Sequence, residues 1–249
     1  MEWSDEGLVL SARRHGENGA IATLLTREHG RHSGLARGAH GRTSRGLYQP
    51  GNHVSARWRG RLSEHLGNWT CELIAGYAAA TMDDPGRLTA LSSACAMLEA
   101  ALPEREPAPR VYADTLVFIA ALAEEDGRSR RWPATYARWE LQLLADLGFG
   151  LDLSACAATG ATDDLVFVSP RSGRSVSATA GAPYRDKLLA LPEFLMRPAT
   201  EPADATAPAA AAAVNAALRL TGYFLDRHVF APQDRTLPPA RMRLIEGLA

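Results

Sequence analysis

Gly7-Leu-Val-Leu-Ser-Ala-Arg-Arg-His-Gly-Glu-Asn-Gly-Ala-Ile-Ala-Thr-Leu-Leu-Thr26 decides the fold class of the N-terminal region. Two apolar runs of strand length, Gly7–Arg13 and Ala20–Thr26, flank the polar turn His15–Gly19, whose glycines accept the backbone angles of a tight reversal. His32–Arg37 follows the break at Gly30. Asn52–Arg59 alternates, with Val54, Ala56 and Trp58 on one face and His53, Arg57 and Arg59 divided between turn and opposite face. Asn68–Ile74 is the fifth run. Five short strands in close succession over residues 1–80 predict a small barrel or sandwich.

Beyond about residue 82 the apolar spacing becomes helical. Asp83-Asp84-Pro85 is a cap followed by a proline in the first turn, and Leu88, Leu91, Cys95, Leu98 and Leu102 recur on one face as far as Pro103. Val111, Thr115, Phe118, Ile119 and Leu122 form a second stripe, and Trp132, Tyr136, Trp139, Leu143 and Leu147 a third. Residues 150–180 lose this period and read as a loop-dominated insertion. Pro183–Leu191 reads as a short helix, 201–208 as a flexible connector, Ala209–His228 as a long helix and Pro238–Leu248 as the last one. Such stripes are read as core rather than ligand boxes.

Charge is unevenly placed. Arg27, Arg31, Arg37, Arg42, Arg45, Arg57, Arg59 and Arg61 share one stretch with a single acid, Glu28, a local charge of +7 in a chain whose formal net charge is −1. Lys187 is the only lysine, so arginine in place of lysine reflects composition, but the excess of base over acid does not. Clustered guanidinium groups release counterions on meeting phosphates, which points to a polyanion. Arg42 and Arg45 fall in Gly38–Gly46, a glycine-rich loop able to follow a nucleic-acid backbone.

Other classes are disfavoured. With 46% hydrophobic and 22% charged residues the chain suits an ordinary soluble domain or two, and no run approaches the roughly 20 apolar residues of a membrane span. Met1–Glu6 is acidic where a secretory leader is basic, so a cytoplasmic location is expected. Cys71, Cys95 and Cys156 include no CxxC pair and read as buried thiols. Phosphate-loop, dinucleotide, HExxH and GxSxG motifs are absent; Asp83-Asp84 is better read as a cap and Asp163-Asp164 as a turn than as metal sites, so no catalytic residue is assigned.

Asp5-Glu-Gly-Leu-Val-Leu with Arg13-Arg-His-Gly-Glu-Asn, then Thr26-Arg-Glu-His-Gly30, Gly34-Leu-Ala-Arg-Gly-Ala39 and Gln49-Pro-Gly-Asn-His-Val54 follow one another along the chain. Taken in order, these segments resemble the RecO family of bacterial recombination mediators. Leu144-Ala-Asp-Leu-Gly-Phe-Gly-Leu-Asp-Leu153, followed by Cys156, is similar to the family's exit into a zinc-type insertion. The resemblance implies an α+β multidomain protein: an OB-fold barrel over 1–80, then a mostly α-helical domain over 81–249 with 150–180 a degenerate zinc-finger-like insertion. It further implies a non-enzymatic role in the RecFOR pathway, binding single- and double-stranded DNA and annealing complementary strands. RecR and the C-terminal tail of single-strand-binding protein are the implied partners, with RecA loaded indirectly. Zinc-bearing relatives carry CxxC twice; here those places are Cys156 with Thr159 and Ser169-Pro-Arg-Ser172, and one thiol among hydroxyls cannot hold structural zinc. No cofactor is therefore expected, and Phe167 and Val168 become the insertion's anchors.

Arg14, Arg27, Arg31, Arg37, Arg42, Arg45, Arg57, Arg59 and Arg61 are the expected DNA contacts, with Tyr48 as a ring for base stacking; Trp58, in phase with Val54 and Ala56, is assigned to the core. Arg131 with Trp132, beside Arg128 and Arg130, and Arg138 with Trp139 are candidate edges of a groove for a protein tail. The alternative is an OB-fold adaptor that binds RNA or only protein.

Overall fold

A computed structural model describes residues 1–39, 41, 44, 46–62, 65–125, 131–197 and 208–248. Its first five elements are the strands β1 (Glu2–His15), β2 (Gly19–Thr26), β3 (Gly30–Ala36), β4 (His53–Arg59) and β5 (Gly67–Ala75). They close into a barrel of order β1-β2-β3-β5-β4, antiparallel except where β3 meets β5. β1 is long because it serves two neighbours. Its first half pairs with β4, Glu2 facing Arg59 and Leu8 facing His53, and its second half pairs with β2 as far as His15 opposite Gly19. A bulge between Val9 and Ser11 bends the strand where it changes partner.

Alternation decides which side chains fill the barrel. Val54, Ala56 and Trp58 point inward beside Val9, Leu24 and Trp69, whereas Ser55, Arg57 and Arg59 point out. Trp58 is fully enclosed, and its ring needs two glycines: a Cβ on Gly60 would lie 2.4 Å from it, and one on Gly67 2.3 Å. Trp3 stacks nearly parallel to it while His32 meets it edge-on, and Trp3, His32 and Trp69 cross one another at near right angles. His32 has neither ring nitrogen hydrogen-bonded, and burial, reinforced by the charge of Arg105, holds its pKa down at about 4.

The helices follow the expected caps. After the single turn α1 (Tyr77–Ala80) comes α2 (Pro85–Ala101), whose Asp84 carboxylate accepts from the Gly86 and Arg87 amides. α3 spans Pro109–Glu124. Asn52 pins the end of the long β3–β4 connection: its amide donates to the carbonyls of Gly46 and Leu47 and accepts from the Ala78 amide. His53 meets the Tyr112 hydroxyl at 3.0 Å, fastening β4 to α3. The chain divides into two compact units, Met1–Glu124 with Pro238–Leu244 and Glu125–Leu237 with Ile245–Ala249. Composition shifts from strand to helix near residue 80, but α2 and α3 belong to the same compact unit as the barrel.

The second unit contains α4 (Trp132–Asp146), a sheet of order β7-β6-β8 built from β6 (Leu165–Val168), β7 (Ser175–Ser177) and β8 (Leu189–Ala190), the turn α5 (Ala178–Gly181) and α6 (Pro208–Leu225). α6 runs on into a π-turn, Asp226–Phe230, and α7 (Pro239–Glu246) comes last. Residues 150–180 are loop and turn for most of their length, and within them β6 and β7 form a hairpin closed by Ser169 donating to the Arg174 carbonyl; strands of three or four residues are too short to show a period in the sequence. One expectation is corrected: the helix expected over 183–191 is instead a 3₁₀ turn, Ala182–Lys187, followed by β8. Val168 is fully buried and Phe167 half-buried against Gly181. The expected connector, 201–208, lies outside the described residues except Pro208. Among the described residues no helix is long and apolar enough to cross a membrane.

Candidate nucleic-acid interface

Strand register assembles an arginine face from distant parts of the chain. Pairing places Glu2 of β1 beside Arg59 of β4, and Arg59 beside Asn68 of β5; one step along, Ser4, Arg57 and Thr70 form the next row. Glu2, Arg57, Arg59, Asn68 and Thr70 of these rows border an open cleft of about 650 Å³. Arg37, at the end of β3, joins them by donating from Nε to Asn68 Oδ1 at 3.1 Å. Arg57 and Arg59 are 64% and 81% exposed, so both guanidinium groups remain available to a ligand. Among the described residues three cations thus converge on a cleft lined by one carboxylate, Glu2, at 3.6 Å from Arg57 and 3.8 Å from Arg59. Such a face can hold an extended polyanion through charge, without base edges.

The other expected contacts are placed differently. Arg14 is exposed on the β1–β2 hairpin and donates to the Glu17 carbonyl; Arg27 is exposed in the β2–β3 turn beside Glu28. Neither lines the cleft. Arg31 is largely withdrawn: its Nε donates to the Leu102 carbonyl at 2.7 Å, and Glu104 lies 3.6 Å away, so it fastens the barrel to the segment after α2. Arg61 is exposed between β4 and β5. Arg42 and Arg45 lie outside the described residues, as do Arg128 and Arg130 of the expected partner edge.

Tyr48 is a correction. It lines the cleft but is only 8% exposed and belongs to the barrel core, hydrogen-bonded with Cys71, so its ring is not offered for stacking. Burial pushes the Tyr48 phenol upward and the Cys71 thiol up to about 11, so both stay neutral. The histidines add little charge either: burial lowers His32, and burial lowers His53 despite nearby Glu6. The +7 of the sequence is therefore partly offset in space by Glu2 and Glu104. Glu2, Asn68 and Thr70 escape sequence reasoning because only register brings them to the arginines.

In the second unit, Trp132 and Trp139 are both buried core residues and cannot form a groove edge, as the expectation had them do. Arg138 donates to the Phe194 carbonyl and stands over the Phe194 ring. Arg131 is exposed; two residues on, Pro133 lines a smaller apolar pocket of about 270 Å³ with Ala134, Ala211, Val214 and Leu248.

The donors at the zinc-type positions do not fit a zinc ion. Cys156 Sγ accepts from the Ser177 amide at 3.3 Å and lies 3.5 Å from its hydroxyl; with Thr159 these contacts lower the thiol's pKa to about 6. That pocket is a nest for one thiolate, whereas structural zinc needs four strong donors. Among the described residues no group of three or more His, Cys, Asp or Glu could hold a metal.

The closed barrel, its strand order and the helical remainder define an OB-type barrel protein with a helical second part. Comparison with known proteins narrows the class. The family model described as recombination protein O N terminal matches residues 1–77, and that described as recombination protein O C terminal matches residues 82–237. A relative from Rhodospirillum rubrum named DNA repair protein RecO is 53% identical over 249 residues, covering 100% of this chain and 96% of the relative. Relatives of the same name from Rhodospirillum centenum (50% identical, 99% of this chain, 94% of theirs) and Phenylobacterium zucineum (49%, 100% and 98%) agree. The chain belongs to the RecO family.

Proposed function

We propose that this chain is a DNA repair and recombination mediator that grips single- and double-stranded DNA by its phosphates at the barrel cleft. The observation that carries the reading is the convergence of Arg37, Arg57 and Arg59 on one exposed barrel face. Gripping phosphates leaves base edges free, which is what annealing complementary strands requires. Arg14, Arg27 and Arg61 extend the positive field beyond the cleft, and Arg42 and Arg45 of the β3–β4 connection are proposed to follow the strand. The role is non-enzymatic and uses no metal or other cofactor; the protein works in the cytoplasm at the nucleoid.

With RecR, the protein helps RecA replace single-strand-binding protein. The C-terminal tail of single-strand-binding protein, apolar and acidic, suits the apolar pocket of Pro133, Val214 and Leu248, with the exposed Arg131 two residues before Pro133 in sequence. The test is annealing of complementary strands coated with single-strand-binding protein. Purified protein should accelerate it, and the Arg57→Ala/Arg59→Ala double variant should not. No acceleration by the wild type refutes mediation, and preferential displacement of bound DNA by structured RNA would favour an RNA adaptor.

A further inference from the structure

We propose that the Glu2 carboxylate is a built-in counter-anion that competes with strand phosphates for Arg57 and Arg59, so that the cleft releases DNA readily. The inference rests on the cleft being the DNA-binding face. Its position is fixed by backbone register: Glu2 stands directly across the β1–β4 pair from Arg59, and Arg57, opposite Ser4, is its diagonal neighbour. One carboxylate oxygen faces each guanidinium, Oε1 at 3.6 Å from Arg57 Nε and Oε2 at 3.8 Å from Arg59 Nε. Both distances exceed hydrogen-bond length, so the carboxylate bridges two cations without being locked to either.

A phosphodiester presents the same pair of anionic oxygens to the same donors. Glu2 is 46% exposed and can swing aside, but a phosphate that enters must displace it. Of the other described carboxylates on these strands, Glu6 and Glu72 flank Ser55 at the far end and do not line the cleft. The face is therefore asymmetric in charge along its length, and among the described residues Glu2 is the one acid lining its basic end. A mediator that must surrender its strand gains from such a competitor, because neutralising part of the site's charge shortens the bound lifetime.

The test measures binding of the full chain, without an N-terminal tag, to a labelled oligothymidylate strand by fluorescence anisotropy at several salt concentrations. Glu2→Gln should tighten binding about two- to tenfold at low salt, the range expected from freeing two exposed ion pairs. The salt dependence should steepen as well. Glu2→Ala should behave alike, which excludes an effect of the new amide. In an Arg57→Ala/Arg59→Ala background, itself weaker, Glu2→Gln should change nothing. Unchanged or weaker binding in both Glu2 variants, with the arginine variant still weakened, overturns the inference and leaves the cleft as the DNA site. Undiminished binding by the arginine variant overturns both.

Discussion

Acid should loosen the barrel through His32. The ring sits among Trp3, Trp58 and Trp69 with neither nitrogen hydrogen-bonded, and its pKa is lowered to about 4 from the ordinary 6.5. Burial is the main cause and Arg105 adds to it; Glu104 opposes. The unfolded chain therefore binds a proton between about pH 6.5 and 4 that the folded barrel refuses, so stability is full above pH 6.5 and falls as pH drops through that window. By pH 5 the loss from this residue is about 2 kcal/mol, at about 1.4 kcal/mol per unit once the unfolded group is protonated. Urea unfolding, followed by tryptophan fluorescence at pH 8 and pH 5, should show this difference between wild type and His32→Leu, other titrating groups being common to both. Equal acid losses in the two proteins would refute the reasoning.

Gly67→Ala should cost about 1–3 kcal/mol in the same assay, since its Cβ would sit 2.3 Å from the enclosed Trp58 ring. It should also weaken DNA binding, because Trp58 lies between Arg57 and Arg59 on β4; an unchanged unfolding midpoint would contradict the packing. Metal analysis of purified protein should find no stoichiometric zinc, and one zinc per chain would show that donors other than Cys156 complete a site.

How much was legible in the sequence depended on the range of the interaction. Strands with enough alternation, such as β4, and helices with a strong cap, such as Asp84 before Pro85, announce themselves because their causes lie within a few residues. β6, β7 and β8 do not, since two to four residues carry no period. The cleft was half legible. Arg57 and Arg59 share a face by simple alternation, but Arg31 is engaged by a carbonyl 71 residues away, which local charge cannot foresee. Tyr48 follows a polar loop and reads as exposed, yet the chain turns back there and Cys71 receives its hydroxyl. Trp132 and Trp139 follow arginines and suggest a groove edge, yet both rings face the core of their unit. Glu2 reads only as part of an acidic start until β1 is laid against β4.

The central claim is that the barrel face holds DNA by phosphate contacts from Arg37, Arg57 and Arg59. Its most direct test is the slope of log affinity against log salt for a single strand, in wild type and in the Arg37→Ala/Arg57→Ala/Arg59→Ala variant. Three lost phosphate contacts should make the slope shallower by about two, at roughly 0.7 per contact, and equally so for strands of unrelated sequence. A variant with the wild-type slope would contradict the account.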